Sequence, residues 1–216
     1  MTVGRSVGRS PIFLSKMSVQ NFSVANFSAL EIDRDPQTGT CLRTLIGNYL
    51  IMALKFNGVV VVAGYETGTI KVWEVDTGVC RHSLDVLRRT EYGMRRTEYD
   101  MMELYGDTLV CRGADRKAPQ IWNLNTGACL EGASNKHKRN INGIGVNDRL
   151  AVTSSGDGVV KLWDIRTGEF IRNLFVLESD GCMEKMMMKD AKIVCFVFAH
   201  NKSKIIVLNF DTEDSE

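Results

Sequence analysis

Residues 150–174 have the sequence LAVTSSGDGVVKLWDIRTGEFIRNL, in which β-prone runs alternate with turns. An apolar run starts at Leu150, a turn follows, and a β-branched and aromatic run covers residues 159–165. A second turn ends at Gly168, a residue type that tolerates positive φ. With a further β-prone run at 140–146, the segment predicts four antiparallel strands. A sheet of this size cannot bury both faces alone, so neighbouring copies must cover it.

Four segments along the chain end in a similar turn. They are RDPQTG at 34–39, WEVDTG at 73–78, WNLNTG at 122–127 and WDIRTG at 163–168. The closing glycines are 39, 49 and 41 residues apart, which is close to the period of a four-stranded propeller blade. The longest interval contains RRTEYGM at 88–94 followed by RRTEYDM at 95–101. We interpret this duplication as an insertion in a surface loop, where extra length is well tolerated.

The unit that ends at Gly168 resembles a WD40 (β-transducin) repeat, with Trp163-Asp164 in the position of the signature dipeptide. The resemblance implies an internal tetrad of hydrogen-bonding side chains. In that family the tetrad combines a His before the first strand, a Ser or Thr in the second, an Asp in the next turn and the Trp of the third. The matching residues here are His137, Thr153 or Ser155, Asp157 and Trp163.

The other units depart from this pattern. In the unit of Trp73, the position of the tetrad Asp holds Thr67. In the unit of Trp122, that position is assigned to Arg116, with Asp115 beside it. Both tetrads are therefore expected to be broken. The first and last copies lack the Trp altogether and are degenerate.

The resemblance implies an all-β WD40-type β-propeller over residues 18–216, with about five blade units. WD40 rings usually have seven blades of roughly 40–45 residues, so the 216 residues leave a five-bladed ring, an open arc or a shortened relative as alternatives. Residues 1–17 are expected to form an N-terminal tail, in which Pro11 to Leu14 would supply one closing strand. An open arc would expose sheet edges and favour an oligomer.

Composition is that of a globular protein. The chain is 44% hydrophobic and 25% charged, with a net charge of +1. This balance gives no reason to expect nucleic acid or a membrane surface as a partner. No apolar run is long enough for a transmembrane helix and no secretory signal is visible, so a cytoplasmic or nuclear location is expected. Residues 1–30 are basic and serine-rich without an acid, which fits either a transit peptide or a disordered tail.

Cysteines and catalytic motifs give no sign of a reactive centre. Cys41, Cys80 and Cys129 each lie two residues after a turn glycine, which favours buried, reduced thiols encoded by the repeat over a metal site or disulfides. No P-loop, G-x-S-x-G or H-E-x-x-H motif occurs. We therefore predict no catalytic residue, cofactor or metal. Core filling is favoured over a pliant binding surface for the methionines Met183, Met186, Met187 and Met188.

Loops of the middle units carry a cluster of basic residues. In WD40 proteins, the loops between fourth and first strands and between second and third strands often contact partners. The basic residues in these loops are Arg88, Arg89, Arg95, Arg96, Arg116, Lys117, Lys136, Lys138 and Arg139. Six acids share the sector, so a solvated face of mixed charge and an anion-binding face both remain open. A binding face of this kind would pair with carboxylates or phosphates of a peptide.

Residues 106–130 and 147–168 are similar to blades of F-box/WD-repeat proteins, which present acidic or phosphorylated substrates to a ubiquitin ligase. We therefore expect a non-catalytic scaffold that mediates protein–protein interactions. The alternatives are a substrate-recognition subunit of such a ligase, a propeller enzyme, which is disfavoured, and a truncated product without independent function. The residues before the first repeat are too few for an F-box, so ligase recruitment would require another chain.

Overall fold

The computed structural model describes residues 29–34, 38, 41–46, 49–86, 101–131, 135–177, 181–189 and 192–209. Within these residues the regular elements are all β-strands, and no helix is long and apolar enough to span a membrane. Arg88, Arg89, Arg95 and Arg96, the duplication that contains them, and the N-terminal segment with Pro11 to Leu14 lie outside the described residues.

The described strands form five antiparallel sheets. A hairpin pairs β1 (Ala29–Arg34) with β2 (Cys41–Ile46). The first full sheet contains β3 (Ile51–Phe56), β4 (Val60–Tyr65), β5 (Thr69–Glu74) and β6 (Cys80–Asp85). The second contains β7 (Met102–Tyr105), β8 (Thr108–Arg112), β9 (Pro119–Asn123) and β10 (Cys129–Glu131).

The third full sheet contains β11 (Ile141–Val146), β12 (Leu150–Ser155), β13 (Val159–Asp164) and β14 (Phe170–Val176). The last sheet has three described strands, β15 (Cys182–Lys189), β16 (Lys192–Ala199) and β17 (Lys202–Asn209). Within each sheet the strands follow chain order. The four strands predicted around residues 150–174 are confirmed, and the five sheets match the five copies seen in the sequence.

The recurring Thr-Gly turn joins the third and fourth strands of each full sheet. Gly78, Gly127 and Gly168 have φ of 71°, 71° and 75°, a conformation that a residue with a Cβ rarely adopts. The amide of each glycine donates to the carbonyl oxygen four residues earlier, as from Gly168 to Asp164 at 2.9 Å. The motif that recurs in the sequence is therefore a structural turn.

The first strands of the sheets lie next to one another. β7 contacts β3 and β11, and β11 contacts β15, so consecutive sheets pack face to face as blades of a propeller. An ion pair of 2.9 Å between Lys55 Nζ and Glu103 Oε1 joins β3 to β7. The propeller fold expected from the sequence is confirmed, with β1 and β2 in the place of a third and a fourth strand.

Apolar side chains fill the space between consecutive blades. The fully buried ones include Val62, Val72 and Leu109 at the first interface, Val110, Ala151 and Trp163 at the second, and Val152, Ile193 and Cys195 at the third. Most of the hydrophobic stabilisation therefore lies between the sheets, as expected for stacked repeats.

At the third interface, two glycines of β11 allow a close approach of two methionines of β15. A Cβ atom added to Gly143 would lie 2.6 Å from Met186 Cβ, and one added to Gly145 would lie 2.5 Å from Met188 Cβ. Met183 and Met186 are buried, which agrees with core filling, whereas Met187 is 61% exposed on the other face of β15.

Candidate partner-binding site

The third blade contains a connected chain of side-chain hydrogen bonds. His137 is buried, with Nδ1 3.1 Å from Asp157 Oδ2 and Nε2 2.9 Å from Thr153 Oγ1. Trp163 Nε1 donates to the same Thr153 Oγ1 at 2.9 Å. These partners fit a neutral imidazole that donates from Nδ1 and accepts at Nε2. The hydroxyl of Ser155 donates instead to the carbonyl oxygen of Arg139 at 3.0 Å.

The ionisation of this chain is set by burial and by backbone donors. Burial lowers the pKa of His137, against the opposing influence of the Asp157 carboxylate. Burial disfavours the charged form of Asp157, but hydrogen bonds from the amides of Lys138 and Val159 and the interaction with His137 hold its pKa below the usual value. Near neutral pH the pair therefore consists of a neutral imidazole and a carboxylate.

The first full blade lacks the acceptor that this chain needs. Trp73 lies opposite Val61, as Trp163 lies opposite Ala151. By this register Ala63 occupies the position of Thr153. The buried Trp73 Nε1 has no acceptor with normal hydrogen-bond geometry, although it is close enough to the Tyr65 hydroxyl to oppose the rise that burial causes in the pKa of that group.

The second full blade has a thiol in the equivalent position. Trp122 lies opposite Leu109, so Cys111 replaces Thr153. Sulfur is a weak acceptor: the buried Trp122 Nε1 interacts with the Cys111 thiol but makes no hydrogen bond of normal geometry. Burial raises the pKa of Cys111 to about 12.

The turn of the second blade corrects one assignment made from the sequence. Asp115 Oδ1 accepts from the amide two residues ahead, at 3.0 Å from Lys117 N. Asp157 Oδ1 likewise accepts from the amide of Val159, at 3.1 Å. The position assigned to Arg116 therefore belongs to Asp115. The turn after Asp115 is one residue longer than in the third blade, and Arg116 occupies it with a φ of 63°.

Backbone hydrogen bonds hold two loops of neighbouring blades together. His137 N donates to Lys117 O and Ile141 N donates to Arg116 O, both at 2.8 Å. Lys138 N donates to Asp157 Oδ2 at 2.7 Å. The loop before β11 is thereby fixed on the turn after β8 and on the tetrad of its own blade.

Five of the predicted basic residues lie on these two loops, and we call them the basic platform. They are Arg116, Lys117, Lys136, Lys138 and Arg139. All except the half-buried Arg116 are exposed. Lys136 Nζ forms an ion pair of 2.6 Å with Asp115 Oδ2, which lowers the pKa of that carboxyl despite the opposing effect of its partial burial. Asp157 accepts from the amide of Lys138 and is held in the tetrad, and the five basic side chains of the platform outnumber these two carboxylates.

The described cysteines have the character of packing residues. Disulfide bonds involve none of the five, which are Cys80, Cys111, Cys129, Cys182 and Cys195. Burial raises the pKa of Cys195 to about 11, so that, like Cys111, it is not a thiolate near neutral pH. In the described part of the chain, no three His, Cys, Asp or Glu side chains come together as metal ligands.

An apolar surface on the last blade was not anticipated from the sequence. Phe196, Phe198, Ile205 and Val207 are between 41% and 71% exposed. The one available signal was the unbroken apolar run from Ile193 to Ala199, which is typical of a strand covered on both faces.

Known proteins share the repeat found here. The WD40 family (WD domain, G-beta repeat) matches at residues 39–74 and 131–164. The F-box/WD repeat-containing protein sel-10 of Caenorhabditis elegans is 35% identical over 51% of this chain and 20% of its own length. Autophagy-related protein 16 of Arabidopsis thaliana is 26% identical over 63% of this chain and 26% of its own length. The chain therefore spans no more than about a quarter of these relatives.

Two solved structures of designed proteins have a similar fold. The computationally designed Ika4 protein superposes with a TM-score of 0.57 and 24% identity, over 75% of this chain and 92% of that one. The designed Ika8 protein superposes with a TM-score of 0.54 and 26% identity, over 75% of this chain and 46% of that one. The chain is thus a repeat protein built from β-propeller blades. Two segments of it, within residues 39–74 and 131–164, match the WD40 repeat.

Proposed function

We propose that this chain is a non-catalytic scaffold that binds partner proteins through the basic platform. WD40 repeats in the chain and in its relatives support an interaction role at the level of class. Fold alone does not define a function, so the proposal depends on the site. The observation that carries it is the attachment of the platform loop to Lys117, Arg116 and Asp157 by backbone donors.

A fixed loop favours binding because little conformational entropy is lost when a partner docks. Lys138 and Arg139 lie on a segment whose backbone is fixed at both ends, by the hydrogen bonds that His137 N and Ile141 N donate. Guanidinium and ammonium groups pair with carboxylates and phosphates. The chemistry therefore suits an acidic or phosphorylated segment of a partner protein.

The finer alternative is a substrate-recognition subunit of a ubiquitin ligase. The similarity to an F-box/WD repeat protein favours it, and an acidic or phosphorylated substrate would fit the same platform. Co-purification of ligase components with the full chain, dependent on Lys138 and Arg139, is the result it predicts.

The test is binding of the full chain to matched peptides that carry phosphoserine, glutamate or serine at the same positions. We expect charge reversal by Lys136→Glu, Lys138→Glu and Arg139→Glu to weaken binding of the acidic peptides by about tenfold or more. The matched control is Lys202→Glu with Lys204→Glu, which reverses exposed charges on β17. Equal binding of the serine peptide, or equal losses in both variants, contradicts the proposal.

A further inference from the structure

Asp157 connects the platform loop to the tetrad of the third blade. Its Oδ1 accepts from the amide of Val159 at 3.1 Å, and its Oδ2 accepts from the amide of Lys138 at 2.7 Å. His137 Nδ1 lies within 3.2 Å of both oxygens. Each oxygen therefore has a backbone donor, and one of these donors belongs to a residue of the platform. An asparagine at this position could accept only one of the two, since its side-chain nitrogen is a donor.

Asp115 carries the same charge but makes different bonds. Its backbone donors both meet Oδ1, from Lys117 at 3.0 Å and from Ala118 at 3.3 Å. Its Oδ2 pairs with Lys136 Nζ at 2.6 Å. Both side chains of this ion pair are exposed, so a partner can reach them. An asparagine here could keep both amide bonds of the turn while it releases the ammonium group of Lys136.

Both carboxylates are charged when the platform meets an anionic partner. Partial burial opposes the ionisation of Asp115 and Asp157, but their hydrogen bonds hold the pKa of each below the usual value of 3.8. Each therefore repels a carboxylate or phosphate of the partner, through an interaction that solvent and salt weaken. On charge alone, removal of either carboxylate would strengthen binding by a similar amount. Their different hydrogen bonds predict effects of opposite sign.

We propose that Asp157 positions the platform for an anionic segment of a partner protein, whereas Asp115 competes with that segment for Lys136. Both roles depend on the function proposed above. Through the amide of Lys138, Asp157 holds the segment that carries Lys138 and Arg139 in one conformation, which lowers the entropy lost on docking. In the described part of the chain, the ammonium group of Lys138 has no carboxylate within ion-pairing distance. Lys136, in contrast, can pair with a partner only when Asp115 releases it.

The experiment measures binding of the glutamate and serine peptides described above to asparagine variants of the full chain. Asp157→Asn is expected to weaken binding of the glutamate peptide by about fivefold or more, although it removes a repelling charge, because the loop loses its fixed position. Asp115→Asn is expected to strengthen this binding by about two- to fivefold, because Lys136 is released and a repelling charge is removed. Fluorescence anisotropy of the labelled peptides gives the dissociation constants.

Asp164→Asn is the matched control. Asp164 Oδ1 accepts from the amide of Arg166 at 2.7 Å, so this variant also removes one charge from a carboxylate that holds a turn. Asp164 ends β13, whereas Asp157 precedes the first residue of that strand, so the control lies at the opposite edge of the same blade. Its dissociation constant should stay within about twofold of the wild-type value. Circular dichroism verifies that each variant is folded before the affinities are compared.

The outcomes distinguish the roles of the two carboxylates from the function of the platform. Stronger or unchanged binding by Asp157→Asn overturns the positioning role, and weaker or unchanged binding by Asp115→Asn overturns the competition. In either case the platform function stands, provided that the wild-type chain binds the glutamate peptide and the triple charge reversal described above weakens that binding. A wild-type chain that binds neither the glutamate nor the phosphoserine peptide overturns the platform function and both roles with it.

Amide hydrogen exchange of the wild-type chain, followed by nitrogen-15 NMR, tests the positioning role without a variant. The amide of Lys138 donates to Asp157, so its exchange requires that this bond opens. Saturation with the glutamate peptide is expected to slow exchange of the Lys138 amide by about fivefold or more, because opening then requires release of the peptide. The amide of Arg166, in the control turn, should exchange equally fast with and without the peptide. Unchanged exchange at Lys138 in the complex overturns the positioning role.

Discussion

Thr153 is the residue on which the intact tetrad depends. Its hydroxyl accepts from Trp163 and contacts His137 Nε2, and all three side chains are buried. A buried polar group left without a partner costs about 1–3 kcal/mol. In the other two full blades, the Trp73 and Trp122 indole nitrogens lack a hydrogen bond of normal geometry, so those blades are without this stabilisation.

Substitutions of Thr153 in the third blade and of the equivalent Cys111 in the second should change the free energy of unfolding in opposite directions. Thr153→Val is expected to lower the free energy of unfolding by about 2 kcal/mol, since Trp163 and His137 lose their shared partner. Cys111→Thr should raise it by about 1 kcal/mol by giving Trp122 Nε1 an oxygen acceptor. Urea unfolding of both variants measures the difference. A loss of stability in Cys111→Thr would contradict the equivalence of the two positions.

The lowered pKa of His137 predicts a specific loss of stability in mild acid. The unfolded chain binds a proton near the ordinary histidine pKa of 6.5, whereas the folded chain resists protonation because the ring is buried. Stability is therefore complete above that pH and declines as pH falls through it, by up to about 1.4 kcal/mol per unit. His137 faces the carboxylate of Asp157 and the ammonium of Lys161.

The measurement is urea unfolding between about pH 7 and pH 5 for the wild-type chain and His137→Gln. The variant should be less stable at neutral pH but lose less stability on acidification. Asp157 contributes in a separate window, below its ordinary pKa of 3.8, because its own pKa is lowered. Parallel curves for the two proteins between these pH values would show that His137 does not cause the decline.

At the level of elements, the approach of β11 to β15 depends on two glycines. A Cβ at Gly143 would meet Met186 Cβ at 2.6 Å and also the hydroxyl of Ser154. Gly143→Ala should therefore cost about 1–3 kcal/mol through overpacking. Gly156→Ala is the control, since its nearest neighbour would be Arg139 at 3.7 Å, and its effect should stay within about 0.5 kcal/mol. Chemical denaturation measures both, and equal costs would contradict this account.

Strands and turns were predictable because their signals are local. The β-branched run before Asp164 and the glycine with positive φ at 168 specify a strand and its turn without reference to the rest of the chain. The assignment of Arg116 failed because the turn is one residue longer than in the third blade, and the strand pairing and the amide donors to Asp115 reveal this. The attachment of the platform loop could not be predicted from the sequence either, because backbone amides form it rather than particular side chains.

The exposed apolar face of the last described blade, with Phe198, Ile205 and Val207, shows the limit of sequence reasoning at the scale of blades. Apolar residues such as Phe196 and Phe198 predict a strand with two covered faces, but the sequence pattern does not identify the segment that covers each face. The same unbroken apolar run would result from packing against any segment, whether near or distant in sequence. In the structure, Ile205 on this face is exposed, which the sequence pattern did not indicate.

At the scale of the whole molecule, stability should decline from the middle of the arc to its last blade. Each blade is stabilised mainly by its neighbours. β12 is largely buried between covered faces, whereas most residues of β17 are exposed. The last blade therefore has fewer interactions to lose when it opens, and local opening should begin there.

Amide hydrogen exchange followed by mass spectrometry tests this order. Amides of β17 should exchange faster than those of β12, because opening of the last blade breaks fewer buried contacts. Equal exchange in the two strands would contradict this order of stability.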